Sequence, residues 1–216
     1  MGGLMSPAAS SAPASVPDVP KLMPWLWGIA AVWCAVVALA ASAGVFAARG
    51  TPPIALGLAV AVPPLLVVAL LAWSPAFRAW AAAADLRALT TLQTWRVAGF
   101  GFVTVWAVGD LPGAFALPAG LGDILIGLTA PLVAARWTGP GRSARRIFYA
   151  WTALGVLDLL LAVTLGVLHS PTRLGVLAAA GDTAVMATLP MSLIPTFVVP
   201  AMLAIHAISV FNTRHA

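Results

Sequence analysis

Residues 52–73 read PPIALGLAVAVPPLLVVALLAW, with no charged, hydroxyl or amide side chain among them. A helix needs about 20 such residues to cross the ~30 Å hydrocarbon core of a bilayer. A surface helix in water keeps one wettable face, and this run has none. Five further apolar runs lie around it, over residues 25–48, 94–111, 114–135, 147–168 and 189–211. Across the 216 residues, 62% are hydrophobic and 8% charged, where a soluble domain carries about 25% charged residues. Mean hydropathy is +1.02. A water-soluble globule is excluded. Backbone groups in lipid must be satisfied within a helix or a closed barrel, and runs this long suit helices. The expected fold is an all-α integral membrane protein, a bundle of six transmembrane helices. Pro63-Pro64 and the series Pro190, Pro195, Pro200 predict kinks in the second and sixth spans.

Residues 1–24 are rich in Ser, Pro, Ala and Gly and lack hydrophobic periodicity, so a disordered tail is expected there. Ala41-Ser42-Ala43 resembles a signal-cleavage site, but the run holding it exceeds the 7–15 residues of a signal core, and it reads as a retained span. The stretch 74–94 carries Arg78, Asp85 and Arg87 among alanines and predicts a helix on the membrane surface. Residues 169–188 are only mildly apolar and predict an interfacial or re-entrant stretch. Residues 212–216 read as a C-terminal tail.

The net charge is +5, but its basic residues fall in the tail, loops and span ends. Membrane topology accounts for them, and no nucleic-acid partner is expected. The loop 136–146, RWTGPGRSARR, holds four arginines and belongs on the cytoplasmic side, because basic loops resist translocation. Six spans counted from it give that side Lys21, Arg78, Arg87, Arg136, Arg142, Arg145, Arg146 and Arg214. The outer side receives Arg49 and Arg173. Both termini are then cytoplasmic. Cys34 is the only cysteine, so no intrachain disulfide forms.

An ionisable side chain within a span costs at least ~2.5–3.5 kcal/mol and faces a partner or a wet cavity. On the third span, Arg96, Phe100, Val103, Ala107 and Asp110 share one helical face. Asp123 lies near mid-depth of the fourth span, with Gly120 and Gly127 close to its face. Asp158 lies near mid-depth of the fifth, aligned with Gly155, Ala162 and, near the outer end, His169. His206 sits in the cytoplasmic third of the sixth. Depth alone orders a polar column: Asp110 with His169, then Asp123 and Asp158, then Arg96 and His206. Spans 1 and 2 contribute no ionisable group. Each member also has a plainer role. Arg96 can snorkel to the cytoplasmic interface, the two carboxyls can be protonated interhelical glue, and His206 can be a hydrogen-bonded interior histidine. Small residues around Gly99, Gly127 and Gly155 permit close helix contacts, within one chain or between two.

Gly120-Leu121-Gly122-Asp123 reads G-x-G-D and resembles the motif that carries one catalytic aspartate of the intramembrane aspartyl proteases. That resemblance implies two carboxyls sharing a proton. The chain departs from it: the preceding partner would be Asp110, near the outer edge, and the later Pro-Ala-Leu motif is absent. Metal-binding, nucleophile-elbow and phosphate-loop signatures are also absent, so no cofactor or metal is expected.

The segments TWRVAGFGFVTVWAVGDLPGAFALPAGLGDILIGLTAPLVA (94–134), ALGVLDLLLAVTLGVLHSP (153–171) and LPMSLIPTFVVPAMLAIHAIS (189–209) are similar to a family of uncharacterised bacterial inner-membrane proteins. The resemblance implies a bacterial cytoplasmic membrane and supplies no activity, substrate or functional residue. The residues themselves lead to a small-solute or ion permease, proton-coupled, as the first expectation. Asp123 and Asp158 form its protonatable centre, Arg96 and His206 the cytoplasmic side of the path, and Asp110 the outer entrance. The alternatives are a membrane-embedded accessory or scaffolding subunit and, further off, an intramembrane enzyme. The expected partners are the lipid bilayer and a second copy or a membrane partner subunit.

Overall fold

The computed structural model describes residues 23–139 and 141–215. All but the last two positions of the tail expected over 1–24 lie outside the described residues. The described chain is helical and, among those residues, contains no strand. Five helices are each long and apolar enough to cross a membrane, over Trp25–Ser42, Ile54–Trp73, Gly113–Arg136, Arg142–Leu168 and Ile194–His215. Helices of this length and composition fit a membrane protein.

The first helix, α1 (Met23–Ser42), stops short of the 48 expected. Gly44, at φ +73°, turns the chain back so that Phe46 packs on Val37 and Ala41. Helix α2 (Ile54–Trp73) runs unbroken through Pro63 and Pro64. Two short helices follow, α3 (Pro75–Ala83), capped by the Ser74 hydroxyl, and α4 (Leu86–Leu92), capped by Asp85. The surface helix expected over 74–94 is therefore two pieces. The first is partly interior: Trp80 and Ala81 are buried against Val67, Leu71, Ile208 and Phe211.

The third expected span is the element that differs most from a simple helix. Helix α4 passes directly into a 3₁₀ turn, Gln93–Gly99, and then into α5 (Phe100–Ala107). The three form one rod over 86–107, ended by Gly109 at φ +90°. The 3₁₀ stretch lies where the rod crosses α6 (Gly113–Arg136). There a Cβ on Gly99 would come 2.5 Å from the Asp123 Cβ, and one on Gly127 would come 2.6 Å from the Val97 nitrogen. The narrower 3₁₀ winding and the bare glycines let two backbones touch, so these small-residue faces meet within one chain.

Helix α7 (Arg142–Leu168) returns alongside α6. Residues 169–188 then form a cap of turns, with short 3₁₀ pieces at Ala178–Ala180 and Ala184–Ala187. The cap is tied down by Thr183 N–H donating to the His169 carbonyl at 3.0 Å and by Gly50 N–H donating to Pro171 at 3.0 Å. The sixth expected span begins as a π turn, Ile194–Val198, and continues as α8 (Val199–His215). The expected tail from 212 is thus the last turn of α8. Asn212 donates from its side-chain nitrogen toward the carbonyls of Ala81, Ala82 and Ala84 at 3.0, 3.0 and 2.9 Å.

Helix α6 is central: Ala116, Ala119, Asp123, Ala130 and Val133 are among its buried residues, whereas α2 buries none. Helices α1 and α2 pack at the side, with Trp33 on Phe197 of the π turn at a centroid distance of 4.8 Å.

Candidate functional site

Arg96 is the largest of the fully buried side chains, 2% exposed. It stands in the 3₁₀ turn, where α6 and α7 both approach. Its Nε donates to Asp123 Oδ1 at 2.7 Å, Nη2 donates to Asp158 Oδ2, and Nη1 donates to the Gly155 carbonyl at 3.0 Å. One guanidinium thus bridges two carboxylates from neighbouring helices. Arg96 does not snorkel outward. Its backbone sits level with Gly127, one turn along α6 from Asp123, and the side chain reaches across about one helical pitch of 5.4 Å into the interior.

Three glycines shape the site. A Cβ on Gly99 would meet the Asp123 side chain, one on Gly122 would collide with the Asp158 carboxylate, and one on Gly155 would come 2.7 Å from His206 Nε2 and 3.1 Å from Arg96 Nη1. Asp158 therefore lies flat against α6. His206 and Arg96 face one another across the bare backbone of Gly155.

His206 is 2% exposed, with Trp151 edge-on at 5.8 Å. Among the described residues, no group hydrogen-bonds its Nε2. Thr152 Oγ1, Thr94 Oγ1 and Gln93 Oε1 are likewise buried without a partner, although the Gln93 side-chain nitrogen donates to the Met202 carbonyl at 3.2 Å. These uncharged groups carry no signal in a charge-based reading of the sequence. Gln93 and Thr94 precede Arg96 in the rod and Thr152 lies about one turn before Gly155 on α7, toward the end where Arg145 donates to the Thr213 carbonyl.

Four of the five expected site residues therefore meet: Arg96, Asp123, Asp158 and His206. Asp110 does not. It is exposed in the turn after α5, away from the ion triad. His169 is buried beneath the cap, its Nδ1 2.9 Å from the Leu165 carbonyl. The column expected from depth is instead a single knot, because an arginine side chain is as long as the depth difference that separated its members.

Two concavities flank the knot. At the end bearing Arg49 and the cap, a cavity of about 300 Å³ is lined by Leu56, Phe102, Phe115, Ala162, Met186 and Val199, among others. Ala162 is one turn from Asp158. At the arginine-rich end, a groove of about 630 Å³ runs from Arg214 and His215 past Leu203 and Val156 to His206. Among the described residues no three His, Cys, Asp or Glu side chains cluster as metal ligands.

A family model described as a domain of unknown function, DUF8737, matches residues 53–213. The match includes all four residues of the knot and omits α1. No curated protein and no solved structure matches the chain.

Proposed function

The chain belongs to the DUF8737 family of domains of unknown function, and we propose that it is a multi-pass permease for a small solute or ion. In this reading it lies in a bacterial cytoplasmic membrane with six spans and both termini inside, and a proton is coupled to transport at Asp123 and Asp158. The observation that carries the reading is the count of charge around Arg96. A guanidinium stays protonated at any accessible pH. One carboxylate neutralises it, and a second leaves a negative charge in surroundings of low dielectric, which is costly. A proton or a monovalent cation completes the site.

The location supports a transport role for that charge. The cavity ends one turn from Asp158, and the opposite groove ends at His206, whose ring adjoins Arg96. The guanidinium between them comes from the 3₁₀ turn of the rod, and Ile194 and Pro195 of the π turn before α8 line the cavity. Such irregular turns recur at hinges and functional sites. Loading and release of the proton at the knot, with small movements of these two turns, would open one concavity at a time.

A strain lacking the protein, and showing a growth or solute-accumulation defect, provides the test. Wild-type protein complements it, and Asp123→Asn and Asp158→Asn fail to complement while reaching the membrane at wild-type levels. Full complementation by both variants would sink the permease reading.

The accessory-subunit reading draws on a separate observation, that α2 buries none of its residues and leaves an apolar face for lipid or a partner. Native mass spectrometry from mild detergent that finds a constant second polypeptide would favour it. The protease-like reading of the G-x-G-D motif is weakened by Arg96, which occupies the space between the two aspartates where that chemistry needs carboxyls sharing a proton directly.

A further inference from the structure

We propose that the cavity at the capped end binds a small anionic amphiphile, its apolar chain inside and its acid group at Arg49. As an assignment of the transported solute this rests on the permease reading; as an assignment of a binding site it does not. The cavity of about 300 Å³ is at the lower end of the range of ligand pockets. It holds about ten water-sized groups, which corresponds to a chain of roughly six to ten carbons. Its interior is apolar because its hydroxyls are already used. Thr183 donates to the Gly166 carbonyl at 2.9 Å and Thr188 to the Val185 carbonyl at 2.9 Å. Ser170 donates to the Val167 carbonyl and lies 2.7 Å from the Thr172 hydroxyl, so that pair has no hydrogen left to offer.

That leaves Arg49 as the polar anchor. It lines the cavity from the α1–α2 loop and, among the described residues, has no hydrogen-bond or ion-pair partner. The loop is held in place: Gly50, at φ +67°, donates to Pro171 and accepts from Arg173 Nε at 3.1 Å. Arg49 therefore lies beside the Ser170–Thr172 turn, and both line the cavity. The nearest acid along the cap, Asp182, accepts from Ala184 N–H at 2.9 Å. An exposed cation over an apolar pocket selects a carboxylate or phosphate carrying a short chain. A free fatty acid and one acyl chain of an anionic phospholipid share that chemistry.

The test uses the full-length protein in phosphatidylcholine nanodiscs with a diazirine-bearing octanoate. Photolabelling should concentrate on Phe46, Leu56 and Met186, and octanoate should compete at least tenfold better than octylammonium or octanol. Arg49→Gln should remove that advantage. Gly57→Phe should abolish the labelling by filling the cavity, since Gly57 lines it and a Cβ there meets nothing within 4 Å; an unchanged melting curve verifies that this variant folds. Native mass spectrometry separates the sources. A retained phospholipid lost in Gly57→Phe assigns the cavity to an acyl chain, and binding of added octanoate without one assigns it to the free acid. Labels scattered over lipid-facing positions such as Leu58 and Leu125, or equal competition by octylammonium, would overturn the proposal. Specific labelling together with full complementation by the Asp→Asn variants would keep this site and remove the permease; scattered labelling with Asp-dependent complementation would keep the permease and remove this ligand.

Discussion

Arg96 holds together three elements that differ in sequence character, and its removal and its retention have opposite costs. Taking a guanidinium and two carboxylates out of water is expensive, and the ion pairs repay that only while all partners are present. Arg96→Leu should therefore destabilise the protein by about 3–5 kcal/mol, measured as a lowered unfolding midpoint in detergent. Arg96→Leu combined with Asp123→Leu and Asp158→Leu should recover much of that loss, since no charge is then stranded. A triple variant as unstable as the single one would mean that packing, not charge, sets the cost. Lysine cannot replace the fork of three bonds, so Arg96→Lys should keep one aspartate contact and lose the Gly155 carbonyl. At this scale the sequence exposed the ionisable groups, because each interrupts an apolar run. It did not expose Gln93, Thr152 or Asn212, which are uncharged and barely lower a hydropathy average. Nor did it show that Arg96 meets Asp123, because ranking groups by backbone depth ignores the length of the side chain.

The six apolar runs were visible in composition, yet the sequence pattern gave no hint that the third would wind as α, 3₁₀ and α in succession. Helical periodicity at 100° per residue is too coarse to separate 3.6 from 3.0 residues per turn over seven positions. What did appear was the row of glycines, and the structure gives each a neighbour. Gly99, Gly122, Gly127 and Gly155 lie where a Cβ would strike Asp123, Asp158, Val97 and His206 in turn. Overfilling such a contact costs typically about 1–3 kcal/mol. Gly99→Ala and Gly127→Ala should each lower stability by about that amount. Gly28→Ala is the control: its Cβ would meet nothing within 4 Å, and alanine favours a helix over glycine by about 0.8–1 kcal/mol. Thermal unfolding of the three variants checks the contrast. Equal effects at Gly28 and Gly99 would show that helix propensity, rather than the crossing of the rod over α6, governs these positions.

The whole molecule turns on whether the rod over 86–107 crosses the membrane, because an odd or even count of spans decides the side of everything that follows. Its length is sufficient. Fifteen of its residues are α-helical and seven are 3₁₀, and a rise of 1.5 Å for the first kind and 2.0 Å for the second gives roughly 35 Å, more than the ~30 Å hydrocarbon core. Its ends also belong to opposite ends of the bundle. The residues before it are tied to α8 through Asn212 at the arginine-rich end. Pro112, just after it, lies against Gly181 of the cap, which is joined to the Gly50 loop. Cysteine accessibility reads this out directly. In a Cys34→Ala background, Ala76→Cys and Ser143→Cys should react with an impermeant maleimide only after permeabilisation, and Thr51→Cys and Asp110→Cys should react from outside intact cells. If Asp110→Cys instead behaved like Ala76→Cys, the rod would not cross. Five spans would then place the termini on opposite sides, and the groove and the cavity would no longer face the two compartments that alternating access requires.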